Sequence, residues 1–158
     1  MMQRARGFTL IELMVTVAIA GILAVMAYPF KEMVVKRERE RELRSSLREI
    51  RTALDAYKRA SEEGRIQAGA GETGYPKTLD ELVTGVQDAT TPEPRKVYFM
   101  RRLPRDPMNT DMSLSPGQTW GKRSYASPPD DPKEGREVFD VYSMAEGRGL
   151  NGTPYRTW

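Results

Sequence analysis

No cysteine occurs among the 158 residues, so no disulfide can close a loop and thiol chemistry is excluded, while the redox compartment stays open. Histidine is also absent, which removes the commonest general base and the commonest metal ligand. The Ser, Asp, Lys and Tyr side chains that remain form no recognisable pairing of nucleophile and base, and no phosphate-binding glycine loop is present. Catalysis is therefore not expected. A large excess of charge is missing too: 25 basic and 22 acidic residues leave a formal net charge of +3, too little for a nucleic-acid footprint.

What the chain does have is one long apolar run. Phe8 to Phe30 carries a single charge, Glu12. As a helix, about 23 residues rising about 1.5 Å each cover roughly 34 Å, the thickness of a bilayer's hydrocarbon core. Ala18, Ala20, Gly21, Ala24 and Ala27 would let neighbouring membrane helices approach closely, although small residues are common in any membrane helix. Glu12 is the informative exception. An Asp at mid-bilayer costs about 2.5–3.5 kcal/mol on insertion scales, and such carboxylates face a protein neighbour rather than lipid. The run is thus predicted to assemble with other helices in the membrane. A secretory signal peptide is the competing account, with Arg4 and Arg6 as its basic flank and Val25-Met26-Ala27 as a small-residue cleavage site near Ala27. Against it, the run is longer than the usual apolar region of a signal peptide and carries a carboxylate near its start.

Gly7-Phe8-Thr9-Leu10-Ile11-Glu12-Leu13-Met14-Val15 resembles the N-terminal signature of type IV pilins and type II secretion pseudopilins. That signature is a short basic leader, a Gly before the cut, a Phe after it and a Glu at the fifth mature position. The resemblance implies that a prepilin peptidase cleaves between Gly7 and Phe8 on the cytoplasmic side and methylates the new Phe8 amine. Arg4 and Arg6 would leave with the leader, lowering the net charge by two. An α-amine is mostly protonated near neutrality, so it and Glu12 would share one apolar zone. Within one chain, Glu12 can pair with the Phe8 amine at i,i+4 and favour the helix N-terminus. The resemblance favours a role between subunits, in which Glu12 neutralises the Phe8 amine of an adjacent copy as a filament grows. Orientation is contested. Lys31, Lys36, Arg37, Arg39 and Arg41 closely follow the run, and the positive-inside rule alone would put that side in the cytoplasm. The resemblance implies the reverse, with the leader inside and the bulk of the chain exported.

Beyond Phe30 the helical pattern resumes to about Glu63, with Gly64 a natural stop. Leu43, Leu47, Ile50, Leu54 and Tyr57 recur in steps of four and three, so they line one face that is expected to pack on the chain's own sheet. The Glu and Arg alternation of 36–42 reads as a solvated face. Its i,i+3 pairs, Arg37 with Glu40, Glu38 with Arg41 and Arg39 with Glu42, contribute only about tenths of a kcal/mol each. Pro29 lacks the N–H of the helix ladder and its ring clashes with the preceding turn, so either a kink or a simple bend at the membrane exit is expected there.

After a glycine-containing stretch at 66–78, Thr78 is expected to cap a short helix, with Glu81 three residues on completing a capping box. Residues 84–96 are polar, contain Pro92 and Pro94, and are expected to be irregular. Lys122 to Ser127 and Glu137 to Ser143 read as strands around a turn with Pro128, Pro129, Pro132 and Gly135. Three stretches resemble the major pseudopilin of type II secretion. They are Tyr75-Pro76 followed by Leu79 and Leu82, Leu103-Pro104-Arg105-Asp106-Pro107, and Phe139-Asp140-Val141-Tyr142-Ser143-Met144. The second departs from the pattern, with Met108 where an aromatic is usual and no Gly before Asn109. In that family the loop after the last strand binds calcium through spaced Asp side chains and backbone carbonyls. Here only Glu146 falls near an expected acidic position, and the second Asp has no counterpart. A hard divalent cation wants several oxygens, so no cofactor is expected and Glu146 stands as a lone calcium candidate. The tail is expected instead to dock Tyr155 and Trp158 on the sheet.

The expected fold class is α+β and type IV pilin-like, a long N-terminal helix, transmembrane in its first half, packed on a small antiparallel sheet. The expected parts are a removable leader at 1–7, a transmembrane and assembly helix at 8–30, an amphipathic continuation at 31–64, and loops, sheet and tail at 65–158. The resemblance implies a single-pass inner-membrane protein whose C-terminal domain is periplasmic and which polymerises into a pseudopilus that drives protein export. Implied partners are further copies of the chain, minor pseudopilins, the prepilin peptidase, an inner-membrane assembly platform with its cytoplasmic ATPase, and membrane lipid, with no nucleic acid. The missing disulfide leans away from surface type IV pilins, many of which close a C-terminal loop with one. A surface pilin and a signal-anchored domain that does not polymerise remain the alternatives.

Overall fold

The computed structural model describes residues 7–69 and 71–158, and at positions 26–29 the backbone only. The leader residues before Gly7 lie outside the described residues. Two compact units divide the chain, Met1–Glu38 and Arg39–Trp158, and helix α1, Leu10–Glu62, contributes to each.

In the second unit α1 supplies one wall of the core. Leu43, Leu47, Ile50, Leu54 and Tyr57 are all buried, as their spacing predicts. The helix ends as its sequence foresees. Gly64 takes a φ of 73°, and Gly64 N–H donates to Ser61 O at 3.1 Å while Arg65 N–H donates to Ala60 O at 2.9 Å. That pair of bonds is the Schellman closure that satisfies the last carbonyls of a helix. It turns the chain so that Ile66 is buried against the same face.

The short helix α2 spans Glu81–Thr84 and buries Leu82, with Leu79 just ahead of it. The expected Thr78 cap does not form: Asp80 occupies the N-cap position without a side-chain bond. The carboxylate of Glu81 is taken by other donors, Tyr57 Oη at 3.1 Å and Lys77 N–H at 3.3 Å. A core tyrosine from α1 thus outcompetes the local capping box.

Residues 84–96 are not wholly irregular either. Strands β1, Val86–Gln87, and β2, Lys96–Val97, pair antiparallel with Val86 opposite Val97, and both prolines fall in the loop between them. The second sheet joins β3, Trp120–Arg123, to β4, Asp140–Ser143, again antiparallel, from Trp120 opposite Ser143 to Arg123 opposite Asp140. Both strands are shorter than expected and β3 starts earlier. The ladder stops because Ser124 N–H turns away to Lys133 O, and Val138 N–H donates to Pro76 O instead of a strand. Trp120 and Val141 from this sheet complete the core with Leu79, Leu82, Val138 and Tyr155.

Candidate functional site

Gly7 is the first of the described residues, and an added Cβ there would meet no described atom within 4 Å. Nothing described in the chain's own fold therefore requires glycine at this position. Phe8 follows with 85% of its surface exposed. Thr9 and Glu12 form a reciprocal capping box: Thr9 N–H and Oγ1 both donate to Glu12 Oε2, at 3.0 and 2.9 Å, and Glu12 N–H donates back to Thr9 Oγ1 at 3.3 Å. The pattern Thr-x-x-Glu ahead of an apolar run is a helix-start signature, and the sequence reading above passed over it. From Leu10 to Val25 every side chain is exposed. The helix that carries this stretch is long and apolar enough to cross a membrane, and the isoleucines, leucines and valines of the stretch are exposed. The helix is continuous through position 29; the side chain of Pro29, where a kink is expected, lies outside the described residues.

The tail forms a second constellation. Glu40, read from the sequence as part of a solvated face and a partner for Arg37, is 4% exposed. Its Oε1 accepts from Leu150 N–H at 2.8 Å and from Tyr155 Oη at 2.9 Å. Burial, and then the Glu40 carboxylate beside it, push the Tyr155 phenol up to about 12. About three turns further along α1, Arg51 reaches Asp140 Oδ1 at 2.7 Å, Val141 O at 3.1 Å and the main-chain oxygen of Trp158 at 2.7 Å. Tyr155 and Trp158 do dock as the sequence predicts, their rings 5.2 Å apart and edge-on, but they meet α1 as well as the sheet. The guanidinium of Arg44 lies 4.3 Å from the Trp158 ring centre, within cation–π range.

Glu146, the calcium candidate, is exposed, and among the described residues no three Asp, Glu, His or Cys side chains gather to hold a metal. Several oxygens of the loop after β4 are engaged by protein donors. Asn151 Oδ1 accepts from Thr153 N–H and Oγ1, Gly147 O from Tyr155 N–H, and Gly152 O from Arg148. Calcium takes six to eight oxygens, carboxylates prominent among them, and the one acidic side chain of this loop is Glu146, with the Arg148 cation two residues on. The residues do not fit calcium.

Asp106, expected only as a turn residue, is 1% exposed. Its carboxylate accepts from Ser143 Oγ at 2.6 Å and Met108 N–H at 2.8 Å, and burial raises its pKa. Trp120 Nε1 donates to Pro104 O at 2.9 Å, and Arg105 to Leu114 O and Asp111 O. The Leu103 to Pro107 motif is therefore a structural pin between a loop and the β3–β4 sheet.

Comparison with known proteins gives a consistent picture. The prokaryotic N-terminal methylation motif matches residues 2–28. Type II secretion system core protein G of Klebsiella pneumoniae is 32% identical over 151 residues, 92% of this chain and 99% of the relative. The protein of the same name from Pseudomonas aeruginosa is 35% identical over 150 residues, 89% of this chain and 95% of the relative. The type IV major pilin protein PilA of Myxococcus xanthus is 42% identical over 72 residues, 46% of this chain and 32% of the relative. No solved structure matches.

Proposed function

The chain belongs to the type II secretion system core protein G family of pseudopilins, and on that premise we propose that it is the repeating subunit of a pseudopilus, polymerising through residues 8–30 to drive protein export. It is a structural protein and not an enzyme. In this reading a prepilin peptidase removes residues 1–7 and methylates Phe8. The apolar helix holds the subunit in the inner membrane, with the domain from Arg39 onward in the periplasm. An inner-membrane platform and its ATPase supply the work of assembly, and minor pseudopilins join the polymer.

The observation that carries the reading is the exposed apolar stretch from Leu10 to Val25 with a carboxylate one turn in. In lipid, exposed apolar side chains need no protein cover, but a carboxylate does. Both bonds that Thr9 donates to the Glu12 carboxylate use Oε2, so Oε1 is placed to meet a cation from another subunit. The lack of glycine-specific demands at Gly7 within the fold supports a demand from outside it, such as a peptidase that must approach the backbone closely. The surface-pilin alternative draws on a match to less than half of this chain.

Because the chain has no cysteine, pairs of cysteines placed on opposite faces of 13–25 would be its only thiols, and each subunit could then crosslink to two neighbours. Oxidation of membranes carrying such variants is expected to give ladders of dimers and higher multimers. Monomer alone at every position would contradict polymerisation and favour a signal-anchored domain.

A further inference from the structure

A carboxylate buried at the head of a core stripe is costly unless donors surround it. Glu40 sits three residues before Leu43, on the face that continues through Leu47, Ile50, Leu54 and Tyr57, and it is as buried as they are. Both of its bonds reach into the tail, 110 and 115 residues further along the chain.

The tail is organised around that contact. Tyr155, 5% exposed, presents its hydroxyl to Glu40 and its ring to Trp158. Trp158 Nε1 donates to Thr153 Oγ1 at 2.7 Å, and Thr153 in turn donates to Asn151. Gly149 N–H donates to Thr153 O, and Gly152 N–H to Gly149 O. A Cβ at Gly149 would collide with the Trp158 ring, so the loop is drawn tightly onto the aromatic pair. Every loop oxygen named above already accepts a hydrogen bond from within the chain, and Arg148 brings a positive charge that would repel a dication.

We propose that the Glu40 carboxylate clasps the tail through Leu150 and Tyr155, and that this clasp replaces a divalent cation in closing the loop after β4. The helix supplies the negative charge and the tail supplies the donors. Closure then depends on residues of the chain alone and is indifferent to calcium in the surroundings. The inference concerns folding and stands apart from the assembly reading, so the two can fail separately.

The test is thermal unfolding of the full chain in detergent micelles, with excess EGTA and with millimolar calcium, for wild type, Tyr155→Phe, Glu40→Ala and the double variant. Wild type is expected to melt at the same temperature in both conditions, within about 1 °C. Tyr155→Phe should lower Tm by roughly 3–8 °C, as expected for losing about one hydrogen bond to a charged group in a domain of this size, and should speed proteolysis beyond Ser143. Glu40→Ala should lower it further, because two buried donors lose their acceptor. In the Glu40→Ala background, Tyr155→Phe should then be neutral or raise Tm, since it removes an orphaned hydroxyl. A calcium-dependent, EGTA-reversible shift of the wild type beyond scatter would overturn the proposal, because only a ligand of the folded state stabilises it by mass action. Equal losses from Tyr155→Phe with and without Glu40 would overturn the clasp.

Discussion

Two glutamates on one helix meet opposite fates. Glu12 takes its donors from Thr9, three residues earlier, in a stretch whose apolar side chains are all exposed. Glu40 takes its donors from Leu150 and Tyr155 and is buried. The difference lies in what surrounds each. Beyond Arg39 the chain supplies its own sheet and tail to cover the apolar stripe, so the carboxylate on that stripe becomes an internal fastening. From Leu10 to Val25 the side chains are exposed, and in the proposed assembly lipid and other subunits meet both the apolar surface and the charge.

The contrast can be broken most sharply at Gly7. Gly7→Val should abolish removal of the leader and methylation of Phe8 while leaving the melting temperature unchanged, since a side chain there meets nothing in the fold. Mass spectrometry of the membrane fraction reads the outcome, and a shortened, methylated product would count against a backbone-close cut after Gly7.

Next in size is the asymmetry between the two halves of α1. Ile50→Ala should cost about 2–5 kcal/mol, the usual range for emptying a core site, because Ile50 is fully buried. Ile19→Ala, at a residue 53% exposed, should change unfolding by no more than about 0.5 kcal/mol. Denaturant unfolding of both variants in micelles makes the comparison, and similar losses would mean that the N-terminal half is covered within the subunit after all.

Smaller effects appear at the pH extremes. The Tyr155 phenol is pushed up to about 12 by burial and by Glu40, whereas an unfolded tyrosine titrates near about 10. Between those values the unfolded chain gives up a proton that the folded one keeps, so stability falls as pH rises from about 10 to about 12. Tyr155→Phe should flatten that limb. At the acid end, the Thr90 hydroxyl and N–H and then Arg65 hold Asp88 down to about 2. An unfolded aspartate protonates near about 3.9, so this contribution is present above that value and is lost as pH falls towards 2. Melting curves of Asp88→Asn across pH 2–5 should lack the wild-type decline due to this group.

Much of this was legible in the chain. The steps of four and three from Leu43 to Tyr57 located the buried face, and Gly64 located the helix end, because both signals are local and repeat at the helical period. Thr9-x-x-Glu12 was equally local and could have been read as a capping box. Glu40 was misread because alternating Glu and Arg look solvated in isolation, and its donors lie more than a hundred residues away. Even so, carrying the stripe back three residues from Leu43 lands on it. The strands were displaced for a related reason. Two- and four-residue ladders are too short for a period-two pattern, and Trp120-Gly121 does not alternate. What ends β3 is Lys133 O capturing Ser124 N–H, a contact that no spacing announces.

The central claim is that the Glu12 charge acts between subunits, and Glu12→Gln tests it most directly because the side chain keeps its shape and can still accept from Thr9. Insertion should become easier and the helix cap should survive, while attraction to a neighbouring Phe8 amine is weakened. With a pair of cysteines engineered into 13–25 of each subunit and protein abundance matched, the account predicts strong crosslinked ladders from the otherwise wild-type chain and mostly monomer from a processed, membrane-resident Glu12→Gln. Equal ladders from both would contradict it and leave Glu12 as a local cap on the start of α1.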